Sequence, residues 1–140
     1  MTSDQRVITN PATLHDPTPL GYSHAVSAPG ELVFIAGQYA SDSTGAAVPG
    51  DFAAQVDLSL TNLRHALEGA GLGLEHVVQL GSYVVDHDLG KLAILGQAMH
   101  AAFGERLPAQ TLCGVASLAL PGMLFEIEAV AVRPHGQTTT

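Results

Sequence analysis

Two glutamates, Glu126 and Glu128, stand two residues apart inside the apolar run at residues 124–133. That run reads as a β-strand. Because strand side chains alternate between faces, Phe125, Ile127, Ala129 and Ala131 share one side, and Leu124, Glu126, Glu128 and Val130 share the other. The first set belongs against helices. An unpaired buried charge is expensive, so the second face must meet water, a partner chain or a ligand. Alternation leaves two readings open: a solvated outer face with two ordinary glutamates, or a face that a partner or ligand covers.

Other chemistries find less footing. The seven histidines, His15, His24, His65, His76, His87, His100 and His135, include no pair three or four apart on a helix and no H-E-x-x-H pattern, so neither a metal site nor a cofactor is expected. Most of them belong at the surface. No G-x-G-x-x-G, G-x-x-x-x-G-K-[ST] or G-x-S-x-G motif occurs, and Gly71-Leu72-Gly73 is better explained as the end of a helix.

Several elements must position the carboxylates. Residues 1–20 carry Pro11, Pro17 and Pro19 among polar residues and read as a lead-in with a short strand at 6–10. The ordered core is expected over about 22–133, with a polar, disordered tail beyond it. Residues 23–28 and 32–38 flank Pro29-Gly30 and predict a hairpin. The second of these runs is apolar without alternation, which predicts a central strand covered on both faces. Asp51 is a candidate N-cap for a helix over 52–70, in which Phe52, Val56, Leu60, Leu63, Leu67 and Ala70 recur at steps of three and four before Gly71. A valine-rich strand at 76–85 follows, then an acidic helix start at Asp86-His87-Asp88. The second helix carries Leu92, Leu95 or Gly96, Met99 and Phe103, and Pro108 is expected to end it. Strands at 110–118 and 124–133 flank a loop with Pro121-Gly122. This order lacks strict βα alternation, so an α+β fold with both helices on one face of a mixed sheet is the natural solution.

Length and composition set the outer bounds. The 140 residues fit one domain, 46% of them are hydrophobic and only 13% are charged, a surface poor enough in charge to suggest burial in an oligomer. The formal charge of -8, with Arg6, Arg64, Lys91, Arg106 and Arg133 scattered along the chain, argues against nucleic acid and anionic membranes as partners. One cysteine, Cys113, permits no intrachain disulfide. With no apolar stretch long enough to span a bilayer and no leader-like start, a cytoplasmic protein is expected.

Five segments resemble the YjgF/RidA family in order and spacing: Gly21-Tyr22-Ser23-His24-Ala25-Val26, Phe34-Ile35-Ala36-Gly37-Gln38, Phe52 and Gln55 with Asn62-Leu63, Pro108-Ala109-Gln110-Thr111, and Glu126-Ile127-Glu128-Ala129-Val130-Ala131. The resemblance spans about residues 22–132. It implies a chorismate-mutase-like fold of five to six strands and a homotrimer whose sheets face inward, with small-molecule ligands bound in three clefts between subunits. In active relatives a glutamate of the E-I-E-A motif positions water against an imine carbon. An arginine of the P-A-R-[ST] motif clamps the substrate carboxylate, while a tyrosine and a strand glycine line the pocket. Carried over, these roles fall on Glu126, Gln110, Tyr22 and Gly37.

The resemblance fails at one informative position. Gln110 stands where the arginine is expected, exchanging a planar, charged, two-pronged donor for one neutral amide. Losing such a pair from a desolvated site costs about 2–5 kcal/mol, so imines with a free carboxylate should bind poorly. Ala36 takes the place of a common serine, and Leu112 that of a cysteine found in some relatives. Cys113, one residue on, is expected by alternation to point to the helix-covered face as a packed thiol. Arg106 either reaches back into the cleft or is a solvated cation at a helix end. Without a guanidinium beside it, Glu126 should titrate higher than in active relatives. The implied function is an enamine/imine deaminase-like hydrolase with altered substrate preference; the alternative is a non-catalytic metabolite-binding or interaction protein of the same fold. The acidic charge and absence of a basic aromatic stripe argue against a ribonuclease.

Overall fold

A computed structural model describes residues 4–137. In chain order the elements are β1 (Val7–Thr9), β2 (Ala25–Ser27), β3 (Glu31–Tyr39), α1 (Phe52–Gly69), β4 (Val77–Val85), α2 (Leu89–Phe103), β5 (Ala109–Val115) and β6 (Phe125–Arg133). Local chemistry explains the helix boundaries. Asp51 accepts from the Ala54 N–H at 2.8 Å and Asp88 from that of Lys91 at 2.8 Å, each satisfying an orphan donor of a first turn. Gly71, at φ +75°, supplies the left-handed residue that closes the end of α1. The second helix stops earlier than the expected Pro108: Gly104, at φ +62°, already turns the chain out of it.

The four long strands lie in the order β3-β6-β4-β5. Strand β6 pairs antiparallel with β3 and β4, whereas β4 and β5 run parallel, so the sheet is mixed. Two expectations are corrected here. The strands flanking Pro29-Gly30 form no hairpin: β2 pairs with β1 and β3 with β6. Nor is β3 central. It is an edge strand, with Leu32 59% and Phe34 73% exposed. A hairpin also needs register between its arms, and Gly30, whose φ is +141°, redirects the chain away from β2 instead.

Both helices pack on one face. Val56, Leu60, Leu63 and Leu67 of α1 and Leu95 and Met99 of α2 meet Leu80, Val84, Phe125, Ile127, Ala129 and Ala131 in a single core. The alternation read in β6 therefore places its apolar set inward. Conserving apolar burial at about 25 cal/mol per Å² makes this layer the main stabilising term. Gln55 fastens it at one end, donating to the Gly122 carbonyl at 2.9 Å and accepting from the Leu124 N–H at 2.9 Å. Asn62 does the same farther along α1, donating to the Tyr39 carbonyl at 2.8 Å.

The lead-in segment is packed onto this domain. Arg6 is buried and donates to the Val77 carbonyl at 3.0 Å, while Asp4 bridges it to Arg106. The last three residues of the polar tail lie outside the described residues.

Candidate active site

The outer face of the sheet carries the carboxylates. Register pairs Glu126 with Tyr39 and Tyr83, and Glu128 with Gly81, so these residues share the face turned away from the helices. Strand β3 is bulged between Ile35 and Gln38, which brings Gly37 under the Glu126 side chain. A Cβ at position 37 would lie 2.7 Å from Glu126 Oε2. Glycine is thus the residue that leaves room for this carboxylate.

Burial pushes the Glu126 pKa up, and the negative charge of Glu128 adds to the shift. Both causes lie within the chain. Glu128 is engaged separately, accepting from the Tyr83 hydroxyl at 2.8 Å, and that bond raises the phenol's pKa. Glu126 has the freer carboxylate of the two.

Tyr22 and Gln110 lie elsewhere. In the β4–β5 register Gln110 pairs with Leu80 and Leu112 with Ser82, both of which point to the helix side. Gln110 therefore faces away from Glu126 in the same chain. It lines a cleft of about 510 Å³ at the edge of β5, together with Tyr22, His24, Leu20, Leu92 and Leu95. Ser82, fully buried, donates to Gln110 Oε1 at 2.6 Å. Beside it, His15 Nε2 is 2.7 Å from the Tyr22 hydroxyl.

The four residues singled out by sequence thus fall into two pairs: Glu126 with Gly37 on the open face, Tyr22 with Gln110 around the edge. Cys113 belongs to the open face too. It is exposed and borders a hollow with Phe34, Tyr83 and Glu128, contrary to the expected packed thiol. The face assignment went wrong by one step because Gln110, not Cys113, shares the core side with Leu80.

The model of the family described as endoribonuclease L-PSP matches residues 13–133. A RutC family protein of Pyrococcus horikoshii is 37% identical over 86% of this chain and 94% of its own length. The 2-iminobutanoate/2-iminopropanoate deaminase of Escherichia coli K12 is 34% identical over 74% of this chain and 81% of its own. Among solved structures, YyfB of Yersinia pestis, a Rid-family protein of unknown function, superposes with a TM-score of 0.87 at 39% identity, covering 92% of this chain and 99% of that one. This chain belongs to the Rid/YjgF family.

Within this Rid chain the remaining candidates have plain positions. Arg106 does not enter the cleft: its Nε donates to Asp4 at 2.8 Å and its second terminal nitrogen to the Arg6 carbonyl at 2.6 Å. Two histidines that sequence spacing set aside, His15 and His24, lie against Tyr22 with ring centroids 6.2 and 5.6 Å away. No helical spacing links them, since they sit in irregular chain; only the two-residue spacing of Tyr22 and His24, which sets both on one face, carried a signal. Among the described residues no group of three or more His, Cys, Asp or Glu is gathered as a metal site would require, and no helix is long and apolar enough to cross a membrane.

Proposed function

We propose that the protein is a Rid-type hydrolase acting on a small enamine, imine or related carbonyl compound without an essential carboxylate, in clefts formed between copies of a homotrimer. The observation that carries this reading is the split site. Glu126 and Gln110 leave opposite faces of one sheet, so a ligand meets both only where the open face of one copy approaches the β5 edge of another. Phe34, 73% exposed, and the apolar lining around it fit a face that is covered in the assembled protein.

In this arrangement Glu126, with its raised pKa, takes a proton from water as the oxygen attacks the imine carbon. The C=N bond pair moves to nitrogen, which takes that proton back from Glu126; the carbinolamine then passes its hydroxyl proton to nitrogen as the C–N bond breaks, giving the carbonyl product and ammonia. Gln110 orients the substrate through its amide. Tyr22 and the Gly37 backbone shape the walls.

A nucleic-acid role has less support than the name endoribonuclease L-PSP suggests. Arg6 and Arg133 are buried and paired with Asp4 and Glu31, Arg106 is tied to Asp4, and the Lys91 ammonium is held by the Val85 and Asp86 carbonyls. Little positive charge remains to meet a phosphate backbone.

Turnover assays on paired imines with and without a carboxylate test the reading. Wild type should hydrolyse the neutral imine and act weakly on 2-iminopropanoate, and Gln110→Arg should reverse that preference. Efficient wild-type hydrolysis of 2-iminopropanoate would remove the specificity argument. No turnover in any variant would favour the non-catalytic binding protein of the same fold.

A further inference from the structure

The cleft at the β5 edge has a defined hydrogen-bonding polarity. Ser23 aligns in parallel with Ala109, its N–H donating to the Pro108 carbonyl at 3.0 Å. Tyr22 and His24, on either side of Ser23, therefore share a face with Gln110. At Gln110 the buried Ser82 hydroxyl occupies Oε1 at 2.6 Å. That bond leaves the two Nε2 hydrogens for the cleft, so the glutamine presents donors.

Tyr22 presents the opposite. Its hydroxyl lies 2.7 Å from His15 Nε2. A phenolic O–H is a stronger donor than an imidazole N–H, and an unprotonated ring nitrogen a stronger acceptor than a phenolic oxygen. With neutral His15 the Tyr22 hydrogen is committed to Nε2, and only the oxygen lone pairs face a ligand. His15 is itself held in place. Its backbone carbonyl accepts from His24 Nε2 at 2.8 Å, and the two imidazoles meet edge-on at 4.8 Å. The backbone N–H of His24 in turn donates to Asn10 Oδ1 at 2.8 Å.

We infer that His15 is a positioning residue that fixes Tyr22 as an acceptor beside the donors of Gln110, so that the cleft selects neutral ligands carrying a carbonyl oxygen and an N–H together, as an amide, ureido group or carbamate does. This deepens the proposed function, resting on its reading of the cleft as the recognition half of the site. A carboxylate sets its lone pairs against those of Tyr22. A ketone satisfies Gln110 but leaves Tyr22 without a hydrogen to accept, and an unmet polar group in a desolvated cleft costs affinity. Leu20, Leu92 and Leu95 supply an apolar wall for a branched side chain next to the polar pair.

Two measurements on the full, assembled chain test this. Long-range proton–nitrogen NMR of uniformly ¹⁵N-labelled protein, at a pH where His15 is neutral, should show Nε2 as its unprotonated nitrogen, and Tyr22→Phe should shift that resonance. NMR titration with isobutyramide, isobutyrate and 3-methyl-2-butanone should then rank the amide first, several-fold above the ketone. His15→Leu should abolish that preference, whereas His15→Gln, whose Oε1 still accepts from Tyr22, should keep part of it. A proton on Nε2 of neutral His15, equal affinity for amide and ketone, or no amide binding overturns the proposal. Neither readout needs turnover, so an absence of imine hydrolysis would remove the hydrolase reading and leave these results standing. Hydrolysis without an amide preference would do the reverse.

Discussion

On the open face of the sheet, Glu126 and Glu128 sit among Phe34, Tyr39 and Tyr83 with no cation among the causes that shift Glu126; around the β5 edge, Tyr22, His15 and Gln110 offer donors and acceptors beside leucines. The two regions are built from neighbouring strands, yet one presents carboxylates and the other phenol, imidazole and amide groups. Burial and mutual repulsion raise the Glu126 pKa, a property suited to moving protons. In the proposed function the edge cleft, lined by Tyr22, His24 and Gln110, holds the groups assigned to orienting a ligand. The contrast teaches that the proposed proton carrier and the proposed recognition groups leave opposite faces of one sheet, so that in this reading a site needs two copies.

The most direct way to break this division is to remove the acid. Glu126→Gln should lower kcat for neutral imines by about 10²–10⁴-fold, the range for losing a general base, with ligand binding at the edge cleft retained by NMR. Loss of binding along with turnover would show that the two regions are not separable.

Mixing variants sharpens the comparison further. If each site takes Glu126 from one copy and Tyr22 from another, co-assembling Glu126→Gln chains with Tyr22→Ala chains should restore activity in about a quarter of the clefts, the share that pairs an intact face with an intact edge. A mixture as inactive as its parents would place both residues of each site in one copy.

A smaller effect is expected at Gly37. An alanine there would put its Cβ 2.7 Å from Glu126 Oε2, so the carboxylate must move, and displacement of a catalytic group by an ångström or less lowers kcat by about tenfold or more. KM and the edge cleft should be unaffected, as steady-state kinetics and the NMR titration would show.

The smallest effect is thermodynamic. Because folding raises the Glu126 pKa above its ordinary value of 4.5, the folded state binds this proton more tightly, and the associated stability is present below 4.5 and lost as pH rises through the raised pKa. Glu126→Gln should therefore unfold at a higher temperature than wild type at neutral pH, with the gap closing as the pH falls toward 4.5. Asp4 runs the other way. Its hydrogen bonds with Arg6, reinforced by Arg106, hold its carboxyl far below the usual range, so the latch it forms stabilises above 3.8 and weakens in acid. A calorimetric pH series on Glu126→Gln and Asp4→Asn separates the two.

Much of this was legible from residue order. The period of Val56, Leu60, Leu63 and Leu67, with Asp51 before and Gly71 after, specifies α1 because helix spacing and cap chemistry are local. Alternation in β6 separated Phe125 and Ile127 from Glu126 and Glu128 for the same reason. Pairing was not local: nothing in residues 23–38 reveals that β2 joins β1 and β3 joins β6, since strand partners are chosen by contacts far away in the chain. Cys113 was misplaced because assigning a face requires knowing which strand neighbour covers it. His15 reaches Tyr22 through irregular chain, where spacing carries no period to read.

By itself, then, the sequence determined the two helices, the Asp51 and Gly71 ends of α1, the inward set of β6 and the family, all of which depend on side-chain type and short-range periodicity. Only the tertiary structure decided that β3 is an edge, that Gly37 cradles Glu126, and that Gln110 turns from the carboxylates toward Tyr22 and His15. Those outcomes depend on strand register, and shifting a strand by a single residue exchanges every side chain between its two faces.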